Sequence, residues 1–227
     1  LLLMIGSNIN GSSASKLRSN KENPMKISNL RIPDELAQTL ADGCVLLRKI
    51  QTRIHEKYQG DVAVMIAGGI CRDAYAYHLG AGKLPEGYAP GSGDIDIVVV
   101  GLGGAMQEAY ELVEGLFEVH GDTCCTSFNP RMDYVVQGSY EGTEVDVLFY
   151  NDQYPTLLSA LDSFNTTANG FYITPTMPHQ EPHIQNHNFD PLVAFDYNWQ
   201  TVSKDGGNEE EMKESERLRH LKSKARY

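Results

Sequence analysis

Long hydrophobic runs and an excess of positive charge are both missing from this sequence. No apolar stretch approaches the ~18 residues that a membrane-spanning helix needs, and residues 1–5 are apolar but short and without a basic flank, so neither a membrane span nor a secretory signal is expected. Cysteine is sparse: the four present, Cys44, Cys71, Cys124 and Cys125, show no C-x-x-C spacing, and the adjacent pair would bridge only under strain. Neither a zinc site nor a disulfide framework is therefore expected, and a reducing cytoplasmic location fits best. Lysine and arginine number 19 against 30 acids, a formal net charge of −11 that opposes broad contact with a polyanion. Small-molecule or protein acceptors gain weight, although bound divalent cations can turn a carboxylate cluster into a phosphate-binding site. Internal repeats are also lacking.

Residues 1–24, rich in Ser, Asn and Gly, are expected to be a leader outside the fold, because Met25 looks like a natural start. Residues 25–175 are read as one catalytic domain, and 176–227 as an irregular, Pro-containing segment ending in a helix over 209–225. Within the domain, residues 33–59 carry an apolar stripe (Leu36, Leu40, Leu47, Ile50) behind Pro33, Asp34 and Glu35, which predicts a helix. A strand at 62–67 and a helix at about 71–79 follow, then a glycine-rich loop over 80–93. A second strand spans 94–100, and the spacing of Met106, Tyr110, Val113 and Phe117 predicts a helix over 105–119. Strands at 134–137 and 144–149 read as a hairpin turning at Gly142, followed by a short helix at 155–161, and after 171–173 the sequence becomes irregular. This order predicts an α+β fold, a small mixed sheet with helices packed on one face.

The chemistry concentrates in three places. In Asp94-Ile95-Asp96-Ile97 the strand period sends both acids to one face while the isoleucines enter the core. Such a pair is costly near a core unless Mg2+, or Mn2+ in its place, neutralises it with hard oxygen ligands. Glu144-Val145-Asp146-Val147 alternates in the same way, and Asp146, nearer the strand centre, is the candidate third ligand of a two-ion site. Gly68-Gly69 falls between a strand and a helix, where a backbone without Cβ atoms and a helix N-terminus can approach a phosphate. Arg72 either adds donors to that phosphate or pairs with Asp73. Lys83, the only base in the 80–93 loop, is expected to approach the triphosphate as that loop closes.

Ala67-Gly68-Gly69-Ile70-Cys71-Arg72-Asp73 followed by Asp94-Ile95-Asp96-Ile97 resembles the head of the DNA polymerase beta-like nucleotidyltransferase superfamily. Its tRNA CCA-adding and poly(A) polymerase branch is the nearest, with a Gly-Gly-x-x-Arg-Asp turn before an Asp-x-Asp pair. The resemblance implies Mg2+ at Asp94 and Asp96, a third catalytic carboxylate at Asp146, and phosphate contacts at Gly68 and Gly69. The segment from Leu161 to Ala168 is similar to the branch's Asp-Phe-x-x-Asn motif, with Ser163 where an aromatic is expected; this implies that Asp162 and Asn165 orient the nucleotide. The match covers residues 62–172, with a longer interval from Gly69 to Asp94 than the family usually has. Few residues follow Ile173, so compact stand-alone enzymes of phage genomes and of bacterial toxin or antibiotic-modifying systems are the nearer likeness.

The expected activity is transfer of a nucleoside monophosphate from ATP or another NTP to a hydroxyl on an RNA or tRNA end, a protein or a small molecule, releasing pyrophosphate. The alternative is a catalytically silent nucleotide- or RNA-binding regulatory module of the same fold. His179, His183 and His187 share a four-residue spacing, but Pro182 interrupts it, so exposed loop histidines are expected rather than a helical ligand ladder. The bases of 209–225 read as a solvated helix face.

Overall fold

A computed structural model describes residues 25–58, 61–79, 93–102, 106–124, 131–164, 170–177 and 179–187. Its helices are α1 (Asp34–Lys57), α2 (Gly69–Leu79), α3 (Met106–Val113) and α4 (Leu157–Asp162). Its strands are β1 (Met25–Lys26), β2 (Ala63–Ala67), β3 (Ile95–Val100), β4 (Glu118–Cys124), β5 (Met132–Tyr140), β6 (Thr143–Tyr150), β7 (Phe171–Ile173) and β8 (His183–Asn186). The strands form one sheet in the order β1-β8-β7-β2-β3-β6-β5-β4. The β3/β6 pair is parallel and every other neighbouring pair is antiparallel. The α+β class with a mixed sheet is as expected from the sequence, and the sheet is larger. Among the described residues, no helix is long and apolar enough to cross a membrane.

Alternation along the strands divides the sheet into two faces. Val64, Ile66, Ile95, Ile97, Val99, Val145, Val147, Phe171 and Ile173 point to the main core, where α1, α2 and α3 cover them with Leu36, Leu40, Leu47, Ile50, Ile70 and Leu112. Helix α1 forms because its apolar positions recur at helical spacing, with Asp34 and Glu35 in its first turn and His55 and Lys57 in its last, both favourable to the helix dipole. The opposite face carries a smaller cluster of Met65, Ala67, Val98, Val100 and Tyr150 under Ala160 and Leu161 of α4. Helix α4 is only six residues long, and it is fixed by a capping box in which Thr156 and Ser159 each bond the other's backbone N–H.

Two segments differ from expectation. The helix expected to reach residue 119 stops at Val113, and Glu118–Cys124 pairs with β5 instead. Gly115, at φ +69°, lies just beyond the helix end in the left-handed conformation typical of such stops. Arg53 of α1 donates to the carbonyls of Leu112 and Glu114 there. Phe117 keeps the helical spacing because it is buried, but the backbone around it is not helical. The second difference is β8, which lies in the segment expected to be irregular and joins the sheet between β7 and β1. Its sequence His-Ile-Gln-Asn has one apolar residue, too little alternation to read as a strand. The expected hairpin is present, longer at both ends. Glu141 and Gly142 form its two-residue turn, both at positive φ as a type I′ turn requires.

Strand β5 passes β4 so closely at Gly138 that a Cβ there would collide with the Glu118 carbonyl and the Phe117 ring. Gly138→Ala is therefore expected to destabilise the protein by at least ~1–3 kcal/mol, the usual range for overpacking. Gly121→Ala, whose added Cβ meets nothing within 4 Å, is the control. Urea midpoints of the two variants check this, and equal midpoints would refute it.

Candidate metal and nucleotide site

The parallel pairing of β3 with β6 sets Asp96 directly opposite Asp146. Ile95 and Ile97 alternate with Asp96, and Val145 and Val147 with Asp146, so burying the four aliphatic side chains under the helices turns both carboxylates to the α4 face. Asp94, two residues before Asp96, is exposed where the chain enters β3. One carboxylate oxygen from each of Asp94, Asp96 and Asp146 lies within 4.8 Å of the others. An all-oxygen, all-anionic donor set of this kind suits a hard divalent cation such as Mg2+ and offers nothing to a thiophilic one.

Of the three acids, Asp146 bears an electrostatic cost. Burial, followed by the charges of Asp94 and Glu144, raises the Asp146 carboxyl above the usual aspartate range, and a hydrogen bond from Gln137 Nε2 to Asp146 Oδ1 at 3.0 Å works against that rise. Gln137 is a site residue that strand patterning alone misses. Its signal lies in the hairpin register: a turn at 141–142 pairs Tyr140 with Thr143, and counting back three residues on each strand brings Gln137 to Asp146.

Gly68 follows β2 and caps α2, whose first helical bond runs from Arg72 N to Gly68 O at 3.1 Å. Its φ of +84° and its position beside Asp96 both call for glycine, since a Cβ would stand 2.9 Å from Asp96 Oδ2. The Gly68 N–H donates to the Phe171 carbonyl at 3.2 Å, so the contribution of this glycine lies in conformation and clearance. The amides that open α2, from Gly69 onward, lack acceptors within the helix. Of the two roles open to Arg72, pairing is present: Nε contacts Asp73 Oδ1 at 2.7 Å with the side chain largely buried. The far end of the same guanidinium lies next to Gly69.

Asp162 is exposed at the end of α4, where its Oδ1 meets His187 Nε2 at 2.8 Å. Ser163 is fully buried, donating to the Ala160 carbonyl at 2.6 Å, and the aromatic of this segment is Phe164, packed on the smaller cluster. Lys83 and Asn165 lie outside the described residues, as does the helix expected over 209–225. His183 sits on β8 and His187 just after it, so the three histidines form no helical ladder. Burial pushes the Cys44 thiol up to about 12 and the Cys71 thiol well above its usual value, so neither is a nucleophile.

No protein-family model matches the chain, and no curated protein matches it in sequence. Solved structures to which it is similar include two apo forms of a tRNA-processing enzyme and a CCA-adding enzyme in complex with CTP. The first apo form has 17% identity and a TM-score of 0.43 over 74% of this chain and 36% of its own. The second has 17% identity and a TM-score of 0.42 over 68% and 37%. The CTP complex has 18% identity and a TM-score of 0.39 over 66% and 31%. The chain thus spans about a third of the length of these proteins, and no residue role is carried over from them.

A carboxyl whose pKa is raised by folding costs stability once it ionises: the unfolded chain loses the proton first, so stability falls as pH rises through the folded pKa. Asp146→Asn keeps the acceptor for Gln137 and removes the charge. In EDTA the variant is expected to melt a few degrees above the parent at neutral pH, with no advantage below the ordinary aspartate range. Stabilisation by added Mg2+ is expected to be lost. Thermal melts at the two pH values, with and without Mg2+, read all three, and a variant less stable than its parent in EDTA at pH 7 would contradict the electrostatic account.

Proposed function

We propose that the chain is a metal-dependent nucleotidyltransferase with a nucleotidyltransferase-type head, moving a nucleoside monophosphate from an NTP to a hydroxyl acceptor with release of pyrophosphate. The observation that carries this reading is the convergence of Asp94, Asp96 and Asp146 on one face, beside the Gly68-Gly69 turn that opens α2. Asp94, Asp96 and Asp146 hold one or two Mg2+ ions, with Mn2+ able to replace them. Bound there, the ions supply charge neutralisation for the triphosphate and lower the pKa of the attacking hydroxyl.

The protein's own groups bind and orient. The amides at the start of α2 receive a phosphate, and the positive end of the helix favours its charge. Gln137 holds the Asp146 carboxylate in place. Arg72, anchored by Asp73, brings its guanidinium to the edge of the same turn. Asp162, with Lys83 and Asn165, completes the proposed nucleotide contacts. The acceptor is an RNA or tRNA end, a protein or a small molecule, and buried free thiols at Cys44 and Cys71 are consistent with a cytoplasmic site of action.

Calorimetry with each NTP is expected to show Mg2+-dependent binding that Asp94→Ala/Asp96→Ala weakens by at least about a hundredfold, as for loss of direct metal ligands. Incubating the protein with labelled NTPs and a cell lysate is expected to label an acceptor in a manner that requires Mg2+ and Asp96. Binding unchanged in the double variant would remove the metal-site assignment. Binding without transfer to any acceptor would favour the silent module.

A further inference from the structure

The polar surface begun by the three carboxylates continues past them over the next strands. On the same face Asp146 stands opposite Gln137, and the adjoining row across β6, β5 and β4 is Glu144, Ser139 and Glu118, each directly opposite its neighbour. His120, at the irregularity in β4, bridges that row: its Nε2 lies 3.3 Å from Ser139 Oγ and 4.0 Å from Glu118, and its Nδ1 lies 3.9 Å from Glu144. Helix α4 packs beside this shelf, on Met65, Ala67, Val98, Val100 and Tyr150, and the side chains of Glu118 and Glu144 stay 80% and 74% exposed. Neither Lys nor Arg occurs in β4, β5 or β6.

Strand order gives the shelf its place in the reaction. Gly68, Gly69 and the first turn of α2 lie on the β2 side of Asp96, whereas Asp146 and the shelf beyond it lie on the β6 side. In phosphoryl transfer the attacking and leaving oxygens stand roughly in line through phosphorus. With the leaving pyrophosphate at the start of α2, the attacking hydroxyl therefore comes from the shelf. Charge then restricts what carries that hydroxyl. Two carboxylates flank one imidazole, so the row stays net negative whether or not His120 is protonated. Glu144 is about 7 Å along β6 from Asp146, inside the range of about 8 Å over which surface charges act. A nucleic-acid end would bring its phosphates into that range, where no base on the three strands offsets the repulsion. Shape narrows the choice again: small ligands are held in concave sites that bury most of their surface, whereas these glutamates project from an open sheet. A polypeptide needs no such enclosure, and Lys or Arg near a hydroxyl side chain matches the charge.

On the nucleotidyltransferase reading, on which this step rests, we propose that the open face of β6, β5 and β4 binds the acceptor, and that the acceptor is a Ser or Thr of a protein segment flanked by Lys or Arg. The Ser or Thr oxygen forms a bond to the α-phosphorus of the NTP. The bond from that phosphorus to the pyrophosphate oxygen breaks, its electron pair leaves with pyrophosphate, and the hydroxyl proton passes to water. Glu144 and Glu118 receive the flanking cations. Glu118, at the far corner of the shelf, is about 12 Å from Asp146 by strand spacing and rise, so the pairing bases fall within about four extended residues of the hydroxyl.

The test offers Mg2+ and labelled NTP together with three acceptors: a degenerate peptide library with a fixed central Ser or Thr, an oligoribonucleotide with a free 3′-hydroxyl, and an amino sugar. Label is expected in peptides that carry Lys or Arg close to the hydroxyl, and in neither of the other acceptors. Glu118→Gln/Glu144→Gln is expected to raise the KM for such a peptide roughly threefold to tenfold, as for the loss of two exposed ion pairs. The same variant is expected to leave kcat and NTP affinity unchanged, and its defect to vanish in about 0.5 M salt. Fluorescence anisotropy of the peptide with Ala in place of its hydroxyl residue, without nucleotide, is expected to show the same weakening. Label on the RNA or the amino sugar in preference to the peptides overturns the proposal. So does peptide labelling indifferent to flanking charge or to the double variant, and so does nucleotide binding with none of the three acceptors labelled. A protein that binds no nucleotide instead overturns the nucleotidyltransferase reading, and the proposal with it.

Discussion

The register between β3 and β6 is the constraint on which the site depends. It places two carboxylates, Asp96 and Asp146, directly opposite one another, an arrangement that like charges disfavour. What holds the register is the apolar set on the other face, where Ile95 pairs with Val145, Ile97 with Val147 and Val99 with Phe149 beneath the three larger helices. A slip of either strand by one residue would carry its acid into that core and expose its aliphatic side chains, so hydrophobic burial enforces an electrostatically costly geometry. Burial first, and then the charges of Asp94 and Glu144, raise the Asp146 carboxyl above the usual aspartate range. The Gln137 amide offsets part of that rise without removing the charge a cation would need.

The three acids were legible in the sequence because the strand period alone decides which side chains share a face, and an acid alternating with Ile or Val leaves one arrangement open. The Gly-Gly turn was legible for a similar reason, although its physical role differs: Gly68 clears space beside Asp96, and its N–H is committed to Phe171. Illegible features depend on distant pairing. Phe117 kept the apolar spacing of the preceding helix, and the residues after it, Glu118–Cys124, became a strand because β5 offered them a partner. Strand β8 has one apolar residue and exists through its bonds to β7 and β1. The apposition of Asp162 and His187 required both β8 and α4 to be placed first. Gln137 stands between these cases, since the turn at 141–142 determines its partner by counting.

The two faces of the sheet divide the work. The face under α1, α2 and α3 carries nearly all the large buried side chains. Among the described residues the opposite face is covered by the short α4, and Asp96 and Asp146 at the end of β3 and β6 are only half-buried there. A group that must be moved or titrated there can change without loss of the packing that sets its position. The bonds linking Gly68, Phe171, Gly170 and His187 are backbone bonds along strand ends, which explains how the ends of three strands, β2, β7 and β8, are held at one rim.

The acidic surface sets a further condition on the proposed chemistry. The formal net charge is −11, and in physiological salt each surface charge acts over about 8 Å. A triphosphate therefore responds mainly to the charges at the site itself. Three ionised carboxylates contribute −3. One divalent cation leaves the cluster at −1, still repulsive to phosphate, whereas two bring it to +1. On the proposed reading the third acid would have two effects: Asp146 would supply the ligand that a second ion requires, and by its charge it would make a single ion insufficient. An Asp94-Asp96 pair without Asp146 would already be neutral with one ion, so in the proposed chemistry it is the register bringing β6 beside β3 that would call for a second ion.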